Sequence, residues 1–214
     1  GPYGDAITQE LIPTVEKQFR GIGQGWARFD YGCSTGGWEA LADQIFYPDF
    51  FNGAWGSSPD PVDFRYFQIV NIYKDANAYW LQGPWSNVPR PDQRNPDGSI
   101  VQTMDRANHR ELVLGTHGRS ADQWDIWQAV FGPVGPDGYP EDIWNPLTGV
   151  IDHQVAQYWH DHFDLDAWLD SHWATLAPKL NGMLHAYVGD MDSYYLNDAV
   201  YEMQKTIERH GDPT

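Results

Sequence analysis

Residues 32–36, Gly-Cys-Ser-Thr-Gly, match the pattern G-x-S-x-G, in which a serine can act as a nucleophile. The match alone is weak evidence, because short patterns arise by chance. Its context is stronger: residues 26–33 are predicted to form a buried strand, and residues 36–47 a helix with one apolar face. A serine on a sharp turn between a strand and a helix is lifted clear of the sheet. This context predicts acyl transfer through Ser34.

The residues that flank Ser34 favour such a turn. Glycines at 32 and 36 would let the strand and the helix approach closely. The backbone N–H of Thr35 would then lie near the helix N-terminus, where it can stabilise an oxyanion. We therefore predict Ser34 as the nucleophile and Thr35 as an oxyanion-hole donor. The alternative interpretation is a glycine-rich turn that contains an incidental serine.

A serine nucleophile needs a base, and the base is usually oriented by an acid that follows a later strand. Residues 182–189 are predicted to form that strand, and Asp190 and Asp192 follow it. Either can be the acid, and a helix N-cap is the alternative role for each. Asp60 and Asp63 follow an earlier short strand and are further candidates.

Two histidines and one arginine are weaker candidates for the site. His117 lies in a loop flanked by glycines, but loops rarely hold a base in catalytic geometry. His210 falls in a helix pattern and is interpreted as a charge that is favourable at a helix C-terminus. Arg119 could bind a substrate carboxylate or stack on a ring of Trp124 or Trp127.

The run from His160 to Asp166 is rich in possible metal ligands. Nothing in the pattern places them on a common face, and the run lacks the glycine and the terminal glutamate of a calcium loop. We interpret it as a solvated, acidic helix end. No metal and no cofactor are predicted.

The elements that would position these residues fall into three stretches. Strand and helix patterns alternate in 1–64, where the first helix is predicted over 5–19 and is interrupted by Pro13. Regular patterns return in 179–214, with the strand 182–189 and a helix over 194–210. Residues 65–178 between them are rich in tryptophan and in turn signals. We predict a hydrolase core in 1–64 and 179–214 and a lid or cap insertion in 65–178. The other predicted elements are a strand over 53–57 and helices over 122–131 and 152–159.

Composition excludes several classes of function. The chain has 30 acidic and 13 basic residues, a net charge of −17, which disfavours nucleic acids and anionic membranes as partners. Cys33 is the single cysteine, so a disulfide framework is excluded. No apolar run reaches the roughly 18 residues of a membrane span. The 11 tryptophans predict either irregular packing under long loops or a cleft for sugar or phenolic rings.

Four segments resemble the esterase branch of the α/β-hydrolase superfamily, which includes relatives of esterase D and of feruloyl esterases. They are ELIPTVEKQFRG, YGCSTGGWEAL, PDFFNGAWGSSPDPVDF and LHAYVGDMDSYYLNDAV, and they occur in the family's order over about residues 4–64 and 180–205. The resemblance implies a three-layer α/β-hydrolase sheet, incomplete at both ends, that carries the large Trp-rich insertion. It also implies a carboxylic-ester hydrolase without a cofactor.

The resemblance carries further expectations for the site. Its G-x-x-D turn maps onto Gly189 and Asp192 and so favours Asp192 over Asp190 as the acid. The catalytic histidine and the second oxyanion donor are expected outside residues 1–214, so this fragment alone is expected to be inactive. The expected partners are a small ester, aromatic or carbohydrate-linked, and polypeptide that supplies the missing part of the sheet. The alternative function is a catalytically inactive carbohydrate-binding or scaffolding protein.

Overall fold

The computed structural model describes residues 2–211, and it is mixed α/β with a small parallel sheet. The chain divides into two compact units. The first contains residues 1–60, 169–188 and 206–214, and the second contains residues 61–168 and 189–205. The sequence-based division at 64/65 and 178/179 has other bounds, and the roles of a hydrolase core and of a lid or cap stay predictions.

The sheet of the first unit has three parallel strands, β1 (Asp30–Ser34), β2 (Ala54–Pro59) and β7 (Leu184–Tyr187), in the order β1-β2-β7. The strands predicted at 26–33 and 182–189 run parallel in this sheet, with β2 between them. The first strand is shorter than predicted, because Gly25–Ala27 form a 3₁₀ turn.

One face of this sheet is covered by α3 (Thr35–Phe46), which follows β1 directly. Its apolar positions Leu41 and Ile45 are 1% exposed, as the spacing of the apolar residues predicts. The helix ends two residues before Pro48, since the residue before a proline disfavours helical geometry.

The opposite face of the sheet is exposed and aromatic. Tyr31, Trp55 and His185 lie side by side across the three strands, and the rings of Trp55 and His185 stack with centroids 4.7 Å apart. Tyr31 is 69% exposed and Tyr187 is 53% exposed. Parallel sheets are usually covered on both faces, so this open face is unusual.

The N-terminal helical segment changes geometry where the sequence predicts an interruption. It runs as α1 (Pro2–Ala6), a π-helical turn (Ile7–Leu11) and α2 (Ile12–Phe19). Pro13 has no N–H and cannot continue the usual ladder, and the wider turn before it closes through a hydrogen bond from the Ile12 N–H to the Ile7 carbonyl.

The second unit contains two β-hairpins, three whole α-helices and parts of two more. Two of the helices begin as predicted at aspartates: Asp122 accepts a hydrogen bond from the Gln123 N–H, and Asp152 accepts one from the Gln154 N–H. The elements are β3 (Trp80–Gln82), β4 (Asn87–Pro89), β5 (Pro91–Arg94), β6 (Ile100–Thr103), α4 (Met104–Leu114), α5 (Gln123–Phe131) and α6 (His153–Phe163).

Tryptophans form the core of the second unit. The Phe67 ring lies 5.0 to 5.8 Å from the rings of Trp124, Trp127, Trp144 and Trp159, all at most 5% exposed. For these four residues the packing interpretation is confirmed and the cleft interpretation is wrong. The large rings of these residues fill the interior of the second unit, which only short helices and strands surround.

Three helices complete the described chain. The first unit contains α8 (Trp173–Leu180), while α7 (Leu165–Ser171) and α9 (Leu196–Arg209) contribute residues to both units. The predicted helix over 194–210 corresponds to α9. No helix within residues 2–211 combines the length and the apolar character that crossing a membrane requires.

Candidate active site

Ser34 lies on a strained turn between β1 and α3. Its backbone angles are φ 56° and ψ −123°, a region that residues with a side chain rarely occupy. This is the sharp strand-to-helix turn that the G-x-S-x-G context predicts. The surrounding structure therefore holds a non-glycine residue in a conformation that costs of the order of 1–3 kcal/mol.

Close packing around the turn explains why two of its positions, 32 and 37, are occupied by glycine. A Cβ atom on Gly32 would lie 1.9 Å from the carbonyl oxygen of Gly36, so no side chain fits at position 32. A Cβ atom on Gly36 would meet nothing within 4 Å, and the steric role predicted for it is wrong. A Cβ atom on Gly37 would make the second close contact, since it would lie 3.0 Å from the Cα of Pro59. Sequence reasoning did not single out Gly37.

Asp60 contacts the turn through three hydrogen bonds. The Ser34 hydroxyl donates to Asp60 Oδ1 at 3.0 Å, and the Thr35 hydroxyl donates to Oδ2 at 2.6 Å. The Asp60 N–H donates to the Ser34 carbonyl at 3.1 Å. Asp60 is only 3% exposed. Sequence reasoning named it only as a lesser candidate for the acid.

An irregular pairing of strands brings Asp60 beside Ser34. Cys33 pairs with Ser57, but Ser34 pairs with Pro59, so Ser58 is left out of the ladder. Ser58 has a φ of 39°, which is consistent with a bulge at this position. The bulge advances β2 by one residue and places the Asp60 carboxylate next to the serine. A bulge of this kind has no clear signature in the sequence.

Thr35 is the first residue of α3, where the sequence predicts an oxyanion donor. The first four N–H groups of an α-helix have no carbonyl partner within the helix, and they carry the positive end of its dipole. The Thr35 N–H belongs to this set and follows the nucleophile directly. Its position is therefore compatible with stabilising negative charge that develops on an oxygen bound at Ser34.

The other candidate acids belong to the second unit. Asp192 Oδ1 accepts hydrogen bonds from the N–H groups of Tyr194 at 2.9 Å and Leu196 at 3.2 Å, so it caps the turn that leads into α9. Asp190 Oδ1 accepts from the Tyr201 hydroxyl at 2.6 Å. The role of Asp192 as catalytic acid stays a prediction. Asp63, the remaining candidate, pairs with Arg65.

Arg94, which sequence reasoning missed, organises the turn that contains Asp192. Its Nε donates to the Asp192 carbonyl at 2.9 Å, and its Nη2 donates to the Asp190 carbonyl at 3.2 Å and to Asn197 Oδ1 at 2.9 Å. The guanidinium also lies 4.2 Å from the ring centroid of Tyr195. An arginine 96 positions earlier in the chain than Asp190 gives no local signal of this role.

The two histidines named from the sequence, His117 as a weak candidate for the base and His210 as a helix charge, lie against other groups. Within residues 2–211, the hydrogen-bond partner of the Ser34 hydroxyl is Asp60 and not a histidine. His210 bonds Asp170 at 2.5 Å and stacks on Trp173 with centroids 4.7 Å apart, just beyond the end of α9. His117 lies 3.8 Å from Asp137 and is half exposed.

The remaining charged candidates contact neighbouring side chains and backbone groups. Asp164 and Asp166 are 2% and 3% exposed, so the interpretation of this run as a solvated helix end is wrong for them. Asp164 accepts a hydrogen bond from the Phe64 N–H, and Asp166 pairs with Arg65. Arg119 packs against the ring of Tyr139 at 5.2 Å, and not against the two tryptophans considered from the sequence.

The preceding run of His160, Asp161 and His162 remains at the surface. His160 Nδ1 lies 2.8 Å from Asp161 Oδ1, while His162 Nδ1 bonds the Tyr158 carbonyl at 2.8 Å. Each ring therefore has its own neighbour. Throughout the described part of the chain, no group of three or more His, Cys, Asp or Glu side chains is arranged to hold a metal ion.

A group of carboxylates shares the first unit with Ser34. Burial raises the pKa of Asp43 on α3 to about 7, and the nearby charges of Asp30 and Glu39 raise it further in the same direction. Burial and the Glu39 charge also raise the pKa of Asp30. Around neutral pH Asp43 is therefore partly protonated, whereas an isolated aspartate would be ionised.

No model of a known protein family matches this chain, and no curated protein matches it. The resemblance to the esterase branch of the α/β-hydrolases therefore depends on the four segments and on the geometry around Ser34.

Proposed function

We propose that the protein is a serine carboxylic-ester hydrolase that forms an acyl-enzyme at Ser34. The observation that carries this proposal is the backbone of Ser34, which is held at φ 56° and ψ −123° between a parallel strand and a helix. Strained residues concentrate at functional sites, and they persist only where the surrounding packing offsets the strain. A glycine would remove most of this strain, yet a hydroxyl-bearing residue occupies the position.

The proposed reaction is acyl transfer in two steps. The Ser34 oxygen attacks the ester carbonyl, the Thr35 N–H stabilises the oxyanion, and the alcohol leaves as the acyl-enzyme forms. Water then attacks the acyl group and regenerates the serine. The family resemblance assigns the proton transfers to a histidine outside residues 1–214 that Asp192 orients. The three strands β1, β2 and β7 would belong to an α/β-hydrolase sheet.

The partners follow from exposed surfaces. The open face of the sheet carries Tyr31 at 69% and Tyr187 at 53% exposure, and β1 is an edge strand of the described sheet. Sheets of parallel strands are stable when both faces are covered, and free edges invite pairing. We therefore propose that further polypeptide, from the same or another chain, covers this face. A small ester remains the proposed substrate.

A second candidate function is a catalytically inactive protein that binds carbohydrate or serves as a scaffold. The exposed rings on the sheet face favour it, since flat aromatic surfaces bind sugar rings. In such a protein the Ser34 turn would remain as a structural feature without chemical reactivity. The reactivity of Ser34 therefore discriminates between the two functions.

The test is covalent modification of Ser34 by a fluorophosphonate, followed by peptide mapping with mass spectrometry. We expect a time-dependent adduct at Ser34, none at that position in Ser34→Ala, and none in protein unfolded in urea. The reaction is expected to be slow but measurable, because sites that lack a triad member keep about 10³–10⁴-fold catalysis over water. Ser57 on the neighbouring strand is the internal control. An adduct that forms no faster at Ser34 than at Ser57 would contradict the proposal.

A further inference from the structure

We propose that Asp60 is the proton acceptor for Ser34, so that this chain contains a nucleophile–base pair of its own. The inference rests on the proposed function of Ser34 and deepens it. It assigns to a carboxylate the first proton transfer, which the family resemblance assigns to a histidine.

The geometry between the two side chains meets the requirement for proton transfer. The distance of 3.0 Å from Ser34 Oγ to Asp60 Oδ1 lies within the roughly 2.6–3.2 Å at which a base can take a proton directly. The hydroxyl is the donor in this bond, so its proton points at the carboxylate. The oxygen lone pairs are then directed away from Asp60, as an attack on an acyl carbon requires.

A second hydroxyl group holds the carboxylate in this orientation, and a backbone hydrogen bond holds residue 60 beside the turn. The Thr35 hydroxyl donates to Oδ2 at 2.6 Å, and the Asp60 N–H donates to the Ser34 carbonyl at 3.1 Å. Each oxygen of the carboxylate therefore has its own hydroxyl partner. A base fixed by its own hydrogen bonds is more effective than one on a mobile loop, because less reorganisation accompanies the reaction.

A purely structural role would leave part of this arrangement unused. The Asp60 N–H and the Thr35 hydroxyl already join the end of β2 to the start of α3. The additional bond from Ser34 places a carboxylate oxygen against the nucleophile, where it can accept the proton of the hydroxyl. Aspartates accept the proton of an attacking hydroxyl in the same manner in kinases.

The proposed step is balanced in atoms and charge. The Ser34 O–H bond breaks, its proton moves to Asp60 Oδ1, and the serine oxygen bonds to the acyl carbon to give an oxyanion. As this intermediate collapses, the bond from carbon to the leaving oxygen breaks. The proton on Asp60 then moves to that oxygen, so the alcohol leaves neutral and the carboxylate is restored.

The experiment measures the second-order rate of Ser34 modification by a fluorophosphonate in the 214-residue protein. Asp60→Asn keeps the shape of the side chain and removes its charge, and we expect a rate about 10²-fold or more lower. Asp30→Asn on the same strand as Ser34 is the matched control and is expected to keep the wild-type rate. Prior treatment with diethyl pyrocarbonate, which blocks histidines, is expected to leave the rate unchanged.

The pH dependence of the rate separates a base from a structural residue. If Asp60 accepts the proton, the wild-type rate rises with pH as this carboxylate ionises, and Asp60→Asn loses that rise. A structural role would lower the rate equally at every pH. The diethyl pyrocarbonate treatment applies to the wild-type protein alone, so a histidine base would be detected even if Asp60→Asn does not fold.

Each possible result of these experiments tests a different part of the proposal. Equal rates for Asp60→Asn and wild type would overturn the inference and leave the function of Ser34 intact. Loss of reactivity after histidine modification, restored by hydroxylamine, would overturn it in favour of a histidine base. A wild-type protein with no adduct at Ser34 would contradict the proposed function itself, and the inference with it.

Discussion

Gly32 and Gly36 approach so closely that a Cβ atom on Gly32 would lie 1.9 Å from the carbonyl oxygen of Gly36. The atoms in conflict belong to the backbone of α3, which cannot rotate away as a side chain can. Strand and helix would have to separate to admit a methyl group. Gly36, by contrast, has open space around its own Cβ position.

This asymmetry predicts opposite results for two alanine substitutions. Gly32→Ala should lower the free energy of unfolding by about 3 kcal/mol or prevent folding, because overpacking against a backbone cannot be relieved locally. Gly36→Ala should be neutral or stabilising by at most about 1 kcal/mol, since alanine favours a helix. Urea unfolding monitored by circular dichroism compares the two. Equal stability of both variants would refute the close approach.

Strain at Ser34 predicts a difference between two variants that both lack its hydroxyl. Ser34→Gly and Ser34→Ala lose the same hydrogen bond to Asp60. Glycine adopts the observed φ of 56° without steric cost, whereas alanine keeps the strain. We expect Ser34→Gly to be more stable than Ser34→Ala by about 1 kcal/mol in thermal unfolding. If Ser34→Ala proves to be the more stable, the turn is not strained.

The raised pKa of Asp43 predicts that stability falls as pH rises from about 4 to about 7. Its pKa of about 7 in the folded protein exceeds the value of about 4 expected in the unfolded chain, so the folded state binds the proton more tightly. The stabilisation is complete below pH 4 and is lost between about pH 4 and 7. Because the side chain is partly solvated, we expect a change of the order of 1–2 kcal/mol.

Urea titrations between pH 4 and 8 measure this effect. Asp43→Asn should flatten the dependence of the unfolding free energy on pH. Asp49→Asn, at a side chain that is 78% exposed, should leave it as in the wild type. An unchanged slope in Asp43→Asn would mean that other carboxylates carry the effect.

Arg94 is predicted to keep the turn at residues 189–195 ordered. Arg94→Ala removes three hydrogen bonds from a charged donor to this part of the chain, each worth about 1.5–3 kcal/mol in favourable cases. We expect hydrogen exchange at the Asp192 and Tyr194 amides to accelerate tenfold or more. Arg119→Ala, which removes another arginine packed on a tyrosine, should not affect them. Unaltered protection in Arg94→Ala would show that the turn is self-supporting.

Local patterns in the sequence predicted the elements that carry the candidate site. The periodicity of apolar residues predicted α3 to within one residue at each end, and Asp122 and Asp152 marked the starts of α5 and α6. The glycine at position 32 and the serine two residues later predicted the turn. These features depend on contacts between near neighbours in the chain, which is why the sequence alone determines them.

Tertiary structure decided which side chain contacts the serine. Asp60 is 26 positions from Ser34, and it reaches the hydroxyl because two parallel strands end side by side and a bulge at Ser58 shifts their register by one residue. Strand order and register depend on packing against α3, where Gly37 approaches the backbone of β2. Similarly, no sequence pattern distinguishes a tryptophan that lines a cleft from Trp144 or Trp159, which are fully buried, because burial depends on every segment that surrounds the ring.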